Sequence, residues 1–557
     1  MANSTITLIY NSTILTMDSQ DSEAKAMAVY GDRILAVGTE DEVRSEIARY
    51  VQDNSSNQSE SYEVEEQDVG GACVVPGFID VHLHPGLCIY FKSLLQLTGV
   101  KSYAEMGQRL QEGDTSNPAG EWLLAVDLME DVFDDPAERH FPDRYLLDQY
   151  CPDRPLIVLR HDSHICGVTS VALQIMEINA SNLLEKTPAG GDILADSSGD
   201  PVGIFRESAV GLALEHISTP DFDQIKEGAR RFCEELASFG ITTCGGILQS
   251  EAEGPGGKAA NVELPLLQVA IREGLLEQDF VFYIITRRPK QLKQLQKSFA
   301  KLDNGENRFV VGGIKVFADG DFGASTACML EPFADATDGN VGYMVNEDAE
   351  LRRLFQGALD LGFQVACHVI GDKGNRIVLN IYRDLLGNSG QGRLCRIEHA
   401  SVLTPDTIAD AAKLGVVLAC QPAFINSEYT WLEPRLGPER CKWTYPFRSI
   451  LDAGAMLAGA SDAPIESADV MKGISACVTR NGFVPEQRIS VMEALRVFTW
   501  NAAYALRQED VKGSIEPGKL ADFVILDVDP RVVPPTELSK VGIRATYHRG
   551  KKIFPQD

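Results

Sequence analysis

Basic side chains are scarce in this 557-residue chain: Lys and Arg number 51 against 80 Asp and Glu, a net charge of −29. A field of that sign repels phosphate backbones and anionic lipid heads, which argues against nucleic acid and membrane surfaces as partners. No uninterrupted apolar run reaches the roughly 18 residues that a membrane span requires. The first twenty residues, MANSTITLIYNSTILTMDSQ, hold neither a basic n-region nor an apolar h-region, so no secretory signal is expected. The 12 Cys are scattered singly. No C-x-x-C pair occurs, so neither a structural zinc site nor a redox pair is signalled, and reduced thiols in a cytoplasm are expected. Histidine is rare as well, with nine in the chain, so its placement carries weight.

An apolar fraction of 44% and a charged fraction of 24% are ordinary for a globular protein. At about 150 residues per domain the length suggests roughly three to four units. Near the N-terminus short apolar runs alternate with turns: Ile6 to Ile9, Ile14 to Met17, Ala26 to Tyr30 and Arg33 to Val37 read as strands, with Gly31-Asp32 as a turn. The polar stretch SEIARYVQDNSSNQSESYEVEEQD follows, and its DNSSNQSESY part reads as a loop or flexible insertion. Strand patterns return near the other end, in Asp522 to Asp527 and Val541 to His548. Neither end supplies enough strands for a stable sheet pair alone, so the two ends are expected to meet in one β-sandwich, residues 1–72 with 511–557. From about residue 73 to 510, runs such as CVVPGFIDV, DFVFYIIT, RFVVGGIKVF, FQVACHV and VVLACQP alternate with amphipathic segments such as EDAELRRLFQGALDLG. Runs apolar along their whole length suit parallel strands covered on both faces, which predicts an α/β barrel. The stretch of about 90–235 is too long for one loop and reads as an inserted subdomain after strand one.

The chemistry gathers where apolar runs end. His82 and His84 close GFIDVHLHP. Two residues apart on a strand, they share a face, with Asp80 one pleat deeper. Pro85-Gly86 stops the strand there. In a barrel that is the end where active sites lie, and two neutral imidazoles begin a zinc or other transition-metal site. The theme repeats: Lys315 ends RFVVGGIKVF, His368 ends FQVACHV, His399 ends RLCRIEHA and Asp462 ends AMLAGASD. Polar strand ends in series, one strand–helix unit apart, predict a shared metal site. An interior Lys315 beside divalent cations is repelled and poorly solvated. Three resolutions stand: a neutral amine turned elsewhere, a carbamate formed with carbon dioxide that bridges two metals, or a pair with a carboxylate such as Asp319.

Taken together, VVPGFIDVHLHP, GIKVFADGDFGASTACMLEPFAD, HVIGDKGNR, RIEHAS, GASDAPIE and the terminal GSIEPGKLADFVILD resemble the amidohydrolase superfamily, in particular its YtcJ-like branch with N-substituted formamide deformylase. The resemblance runs along nearly the whole chain. It implies a (β/α)8 barrel with a β-sandwich built from both termini. It also implies metal ligands at His82, His84, His368, His399 and Asp462, with Lys315 at the position carboxylated in binuclear members. The expected cofactor is a pair of divalent cations, taken as zinc, bridged by carboxylated Lys315. Two departures stand out: the second strand ends in ITTCGGILQS, where many relatives carry a His-Asp or similar ending, and Gly374 replaces the usual Ala. The first leaves the substrate-facing wall open, and neither touches the implied ligands.

The expected reaction is hydrolysis of a carbon–nitrogen bond in a non-peptide amide. Activated water attacks a carbonyl while Asp462 takes a proton and returns it to the departing amine. Asp80, Asp319 and Asp372 are candidates to orient the ligands from behind. His164, in RHDSHICG, matches a family His that could bind the substrate carbonyl. Glu207 also matches a family position, without a role. Phe424, Tyr429, Trp431, Trp443 and Tyr445 follow strand seven and could wall an apolar pocket. The substrate is expected to be a small molecule, and a homodimer is compatible with this reading. Two other readings stay open: a mononuclear deaminase or cyclic amidohydrolase in which His399 shuttles protons, and a non-catalytic assembly protein on the same fold.

Overall fold

The computed structural model describes residues 5–55, 62–116, 120–160, 165–188, 191–217, 221–250, 263–303, 305–387 and 391–556. Eight parallel strands form the central sheet: β1 (Phe78–Leu83), β2 (Ile241–Gln249), β3 (Asp279–Ile285), β4 (Phe309–Phe317), β5 (Gln364–Val369), β6 (Cys395–His399), β7 (Val417–Cys420) and β8 (Met456–Gly459). Each pairs with the next in sequence order. The ring nearly closes just beyond β8, where Asp462 N donates to the His82 carbonyl and His84 N to the Ala463 carbonyl, both at 2.8 Å. This is a TIM-like barrel.

The apolar runs account for it. β1 and β2 are buried at every position. Ile79, Val81, Ile247, Val281, Ala366, Val417, Ala419 and Ala458 pack together in one cluster, and burial of each Val or Ile there contributes roughly 1.5–3 kcal/mol. Helices follow the strands as the amphipathic segments predict. In Asp348–Leu359 the buried face is Leu351, Leu354, Phe355 and Ala358, at helical spacing. Pro405–Leu414 starts with Pro in its first turn and ends on Gly415 at φ 71°, a left-handed stop that glycine adopts without strain. In β2, Gly245 lies where a Cβ would stand 2.1 Å from the Val81 carbonyl oxygen, so only glycine lets β2 pass this close beside His82.

The chain folds as two compact units, residues 1–87 with 233–557, and residues 88–232. The first holds the barrel and two further sheets. One has the order Arg33–Gly38, Ala26–Tyr30, Thr5–Tyr10, Glu63–Asp68. The other runs Lys551–Phe554, Ile543–His548, Phe523–Leu526, Cys73–Pro76, Thr13–Leu15, Glu23–Ala24, and so joins strands from both ends of the chain. Ile9, Met27 and Ile34 of the first sheet share a cluster with Val74, Phe523 and Ile525 of the second. The polar stretch after the first strands is flanked by structure, a helix, Glu40–Ser55, and a strand, Glu63–Asp68, while the DNSSNQSESY loop reading falls mostly on 56–61, outside the described residues. That strand is exposed at all but one position and pairs parallel to Thr5–Tyr10 at the sheet edge. Its charged side chains give no apolar alternation to read, and they suit an edge that must not recruit another strand.

The second unit contains a six-stranded sheet, Gly191–Ala195, Pro201–Glu207, Ile165–Val168, Leu156–Arg160, Leu123–Leu128, Leu95–Gln96. Its two apolar clusters centre on Phe205 and Ile157 in one and on Phe133 and Leu156 in the other. Among the described residues no helix is long and apolar enough to cross a membrane.

Candidate metal centre

Strand register sets the site's layers. Phe317 of β4 lies beside His368 of β5, which lies beside Glu398 of β6, while Val369 lies beside His399. Backbone bonds from Asp462 and Ala463 to β1 bring the far end of the barrel to His82 and His84. The side chains of His82, His84, Lys315, His368, His399 and Asp462 meet there. Ring centroids are 5.6 Å apart for His82–His84, 5.2 Å for His82–His399 and 4.5 Å for His368–His399. Asp462 Oδ1 is 3.1 Å from His84 Nε2 and 3.3 Å from His82 Nε2, and Lys315 Nζ is 3.2 Å from His82 Nε2. His399 and Asp462 have φ of 73° and 64°. Left-handed backbone at non-glycine residues costs of order 1–3 kcal/mol, and such conformations gather at functional sites.

Three of the imidazoles are oriented from behind. His82 Nδ1 donates to Glu398 Oε2 at 2.6 Å, His399 Nδ1 to Gln421 Oε1 at 2.9 Å, and His368 Nε2 to the Gly320 carbonyl at 3.0 Å. The nitrogens left to face the site are therefore Nε2 of His82, Nε2 of His399 and Nδ1 of His368. Glu398 is fully buried, and burial pushes its carboxyl up, but Arg396 and His82 outweigh this and hold it below the usual carboxylate range. Arg396 gives it two bonds, 2.8 and 3.0 Å, and extends to Tyr283 Oη at 2.7 Å and the Val81 carbonyl at 3.0 Å. Glu398 and Arg396 escaped the sequence reading. The signal was present in RLCRIEHA: two opposite charges two residues apart, on one face of an otherwise apolar strand.

Burial first, and then Lys315, push His368 down to about 3; burial and His368 push His399 well below its ordinary range, and burial lowers His84. Burial also lowers Lys315, against the pull of Glu398 and Asp462. For Asp462, burial alone would raise the carboxyl, but His82, His84 and His399 hold it well below its ordinary value. Neutral imidazoles with an ionised carboxylate are the protonation states that divalent metal ligands need. His82, His84 and Asp462 offer ligand atoms all within 4.8 Å of one another. His82 Nε2 and Asp462 Oδ1 are both acceptors, 3.3 Å apart, and two facing lone pairs are favourable only with a cation or a proton between them. The donor set fits zinc or a similar cation. Asp279, Asp522 and His548 form another metal-capable group. There Lys512 reaches Asp279 at 2.7 Å and Asp522 at 3.2 Å, and Arg549 reaches Asp279 at 3.0 Å, so the chain supplies its own cations.

The remaining candidates take various places. Asp80 accepts the backbone N–H groups of His82 and Ser461 at 3.0 and 3.2 Å, anchoring the strand ends. Asp319 accepts from the backbone of Cys328, Ile370 and Gly371, 3.9 Å from His368 Nε2. Asp372 accepts from the backbone of Leu330 and Lys373 at 2.8 Å, as a loop clamp. Phe424 stacks on His399 at 6.3 Å, and the buried Tyr445 donates to Glu428 at 2.5 Å. Tyr429 is exposed and Trp431 and Trp443 are half-buried. His164 lies outside the described residues, as does the side chain of Glu207.

A barrel with this cluster at the C-terminal ends of its strands defines the class of metal-dependent barrel proteins. The chain belongs to the amidohydrolase family, whose family model matches residues 65–554. It is 30% identical over 539 residues to YtcJ of Bacillus subtilis, a protein named as a putative amidohydrolase, covering 94% of this chain and 96% of that one. It is 27% identical to the N-substituted formamide deformylase of Arthrobacter pascens, over 98% of this chain and 97% of that one. An uncharacterized metal-dependent hydrolase from Pyrococcus furiosus superimposes with a TM-score of 0.71 and 27% identity, over 94% of this chain and 100% of that one.

Proposed function

We propose that the protein is a metal-dependent hydrolase of a carbon–nitrogen bond in a small non-peptide amide, acting in the cytoplasm. The observation that carries this reading is the approach of His82, His84 and Asp462 within 4.8 Å, beside His368, His399 and Lys315. We read all six as ligands of two zinc ions, with Lys315 carboxylated. The lowered Lys315 ammonium favours the neutral amine, whose nitrogen would add to carbon dioxide and lose a proton to give a carbamate able to hold the cations. The formamide deformylase relative supports an amide substrate. We read residues 1–72 with 511–557 as one sandwich, and about 90–235 as the insertion within a barrel domain of 73–510.

When bound, divalent cations lower the pKa of water and polarise a carbonyl. The chain's own residues do the rest. Glu398 holds His82, and Gln421 holds His399. Asp462, kept ionised, takes the proton of the attacking water and delivers it to the departing nitrogen. Phe424 over His399 excludes water from that side.

A panel of N-alkylformamides, acyl amines and cyclic amides, assayed with zinc-loaded and chelated protein, tests the reading. Turnover of at least one class, lost on chelation, is expected; no turnover in a fully zinc-loaded protein contradicts it. One observation favours a mononuclear variant: among the described His, Cys, Asp and Glu side chains, His82, His84 and Asp462 bring their ligand atoms within 4.8 Å of one another, and His368 and His399 do not join that group. One zinc per chain with unmodified Lys315 would establish that variant, leaving His399 as the proton shuttle.

A further inference from the structure

Glu428 closes the short helix Phe424–Glu428 that follows β7. Two contacts fix which way its face looks. Phe424, one helical turn earlier and so on the same side, stacks on His399 at 6.3 Å. Asn426, on the other side, accepts from Asn481 Nδ2 at the surface, at 2.9 Å. Glu428 takes the hydroxyl of Tyr445 at 2.5 Å, and Tyr445 N donates to the carbonyl of Ser401, two residues past His399, at 2.8 Å. The charges that reach Glu428 are those of Asp321 and Glu466. Asp321 follows Gly320, whose carbonyl takes the His368 ring, and Glu466 lies four residues past Asp462. Glu428 therefore stands among the loops that leave β4, β7 and β8, over the end of the barrel where the cluster lies. Its electrostatic state sets it apart. The buried carboxylates Glu398 and Asp279 each have a cation of the chain, Arg396 for one and Lys512 with Arg549 for the other, and Asp319 has three backbone N–H groups. Among the described residues Glu428 has the Tyr445 hydroxyl on one oxygen and neither a donor nor a cation on the other, while part of the residue stays open to solvent. Burial pushes its carboxyl up to about 8, with Glu466 and Asp321 adding to the shift and the Tyr445 hydroxyl opposing it. A carboxyl in that state lacks a positive partner.

We propose that Glu428 receives a cationic nitrogen of the substrate, so that the amide hydrolysed here carries an ammonium group at the end remote from its scissile carbonyl. The inference rests on the hydrolase reading above and narrows its substrate class: the metal cluster requires a substrate in the space that this helix face overlooks. Phe424 lies one turn, about 5.4 Å along the helix, from Glu428 and against His399, so its ring offers apolar contact to the methylenes between the ammonium and the carbonyl. The incoming ammonium supplies the charge that burial and the two acidic neighbours withhold. Glu428 then gives its proton to solvent and binds the ammonium as a carboxylate, still held by Tyr445. Glu466 and Asp321 favour the same cation from either side, and the titratable groups facing Glu428 are these two and Tyr445.

Matched hydroxamates test it. The zinc-loaded full-length chain is titrated calorimetrically with ω-aminohexanohydroxamate and with hexanohydroxamate, which differ only in the terminal ammonium, and with shorter and longer pairs of the same kind, all at one ionic strength. At the chain length that spans the site, wild type is expected to bind the ammonium member about tenfold or more tightly than its neutral partner, the gain of one hydrogen bond between charged groups. Glu428→Gln keeps the shape and an acceptor for Tyr445 but cannot ionise, and there the preference is expected to fall by about tenfold. The neutral member is the reference within each protein. The acidic field of the whole chain acts alike on both proteins, so a preference that persists unchanged in Glu428→Gln belongs to that field and overturns the proposal, as does equal affinity for both members of every pair in wild type. A measurement on wild type alone stands even if Glu428→Gln fails to fold. At about pH 7, titration in two buffers of different ionisation enthalpy is expected to show up to about one more proton released with the ammonium member than with the neutral one, and no difference in proton release contradicts the assignment. If neither hydroxamate binds the zinc-loaded wild type, the hydrolase reading fails and the inference with it, an outcome distinct from the others.

Discussion

Glu398 governs the electrostatics of the site although it sits on β6, far along the chain from the β1 imidazole it serves. It is held ionised by Arg396 and accepts from His82 Nδ1, so His82 must present Nε2 to the cluster. Glu398→Gln keeps the shape and removes the charge. It is expected to lower zinc affinity about 10–100-fold and, by leaving the Arg396 guanidinium uncompensated, to cost about 3–5 kcal/mol of stability; zinc titration and chemical denaturation read the two effects. His82→Ala removes the nitrogen itself and is expected to abolish zinc binding and turnover together, and full activity in that variant would remove the proposed site. Glu428 sets a pH dependence away from the ligands. Burial raises its carboxyl from an ordinary 4.5 to about 8. Between those values the folded chain binds more protons than the unfolded one, so this group's contribution to stability falls as pH rises from 4.5 to about 8. Glu428→Gln is therefore expected to gain stability relative to wild type as pH rises from about 5 to about 8, measured as the difference in denaturation midpoints. A difference independent of pH would contradict the burial argument.

At the scale of strands, the register of β4 against β5 places Lys315 and His368 at one end of the barrel. Gly313 of β4 is the tight point: a Cβ there would stand 2.0 Å from the Gln364 carbonyl oxygen of β5. Backbone, not a flexible side chain, would have to move. Gly313→Ala is expected to destabilise the chain by about 1–3 kcal/mol or more and to weaken zinc binding as well, because the two strands carry site residues. The barrel strands are legible in the sequence because burial on both faces writes a continuous apolar run, and a lone polar residue at the end of such a run stands out. The edge strand Glu63–Asp68 is not legible, since its pairing uses backbone alone and its side chains are solvated. Nor is the tie of Glu398 to His82, which joins residues 316 positions apart; pattern exposes charges within a strand but not the partner across the barrel. Asp372 reads as a candidate to orient a ligand, yet its carboxylate turns to the backbone of Leu330 and Lys373.

Across the whole molecule, the charge of −29 opposes compactness through self-repulsion, and salt screens it. Thermal midpoints are expected to rise between low and moderate concentrations of monovalent salt, and a flat or falling trend would show that repulsion contributes little. The proposed ligands, drawn from β1, β4, β5 and β6 and the turn after β8, would tie most of the barrel's circumference to one site. A cation that binds only the folded chain therefore stabilises all of it, by about 2.7 kcal/mol at a hundred times its dissociation constant. The most direct measurement is elemental analysis of the purified full-length chain, wild type beside His82→Ala, joined to intact mass analysis under carbon dioxide for a modified Lys315. Two zinc ions per wild-type chain, none tightly held by His82→Ala, and a carboxylated Lys315 are predicted; equal metal content in the two proteins would contradict the proposed centre.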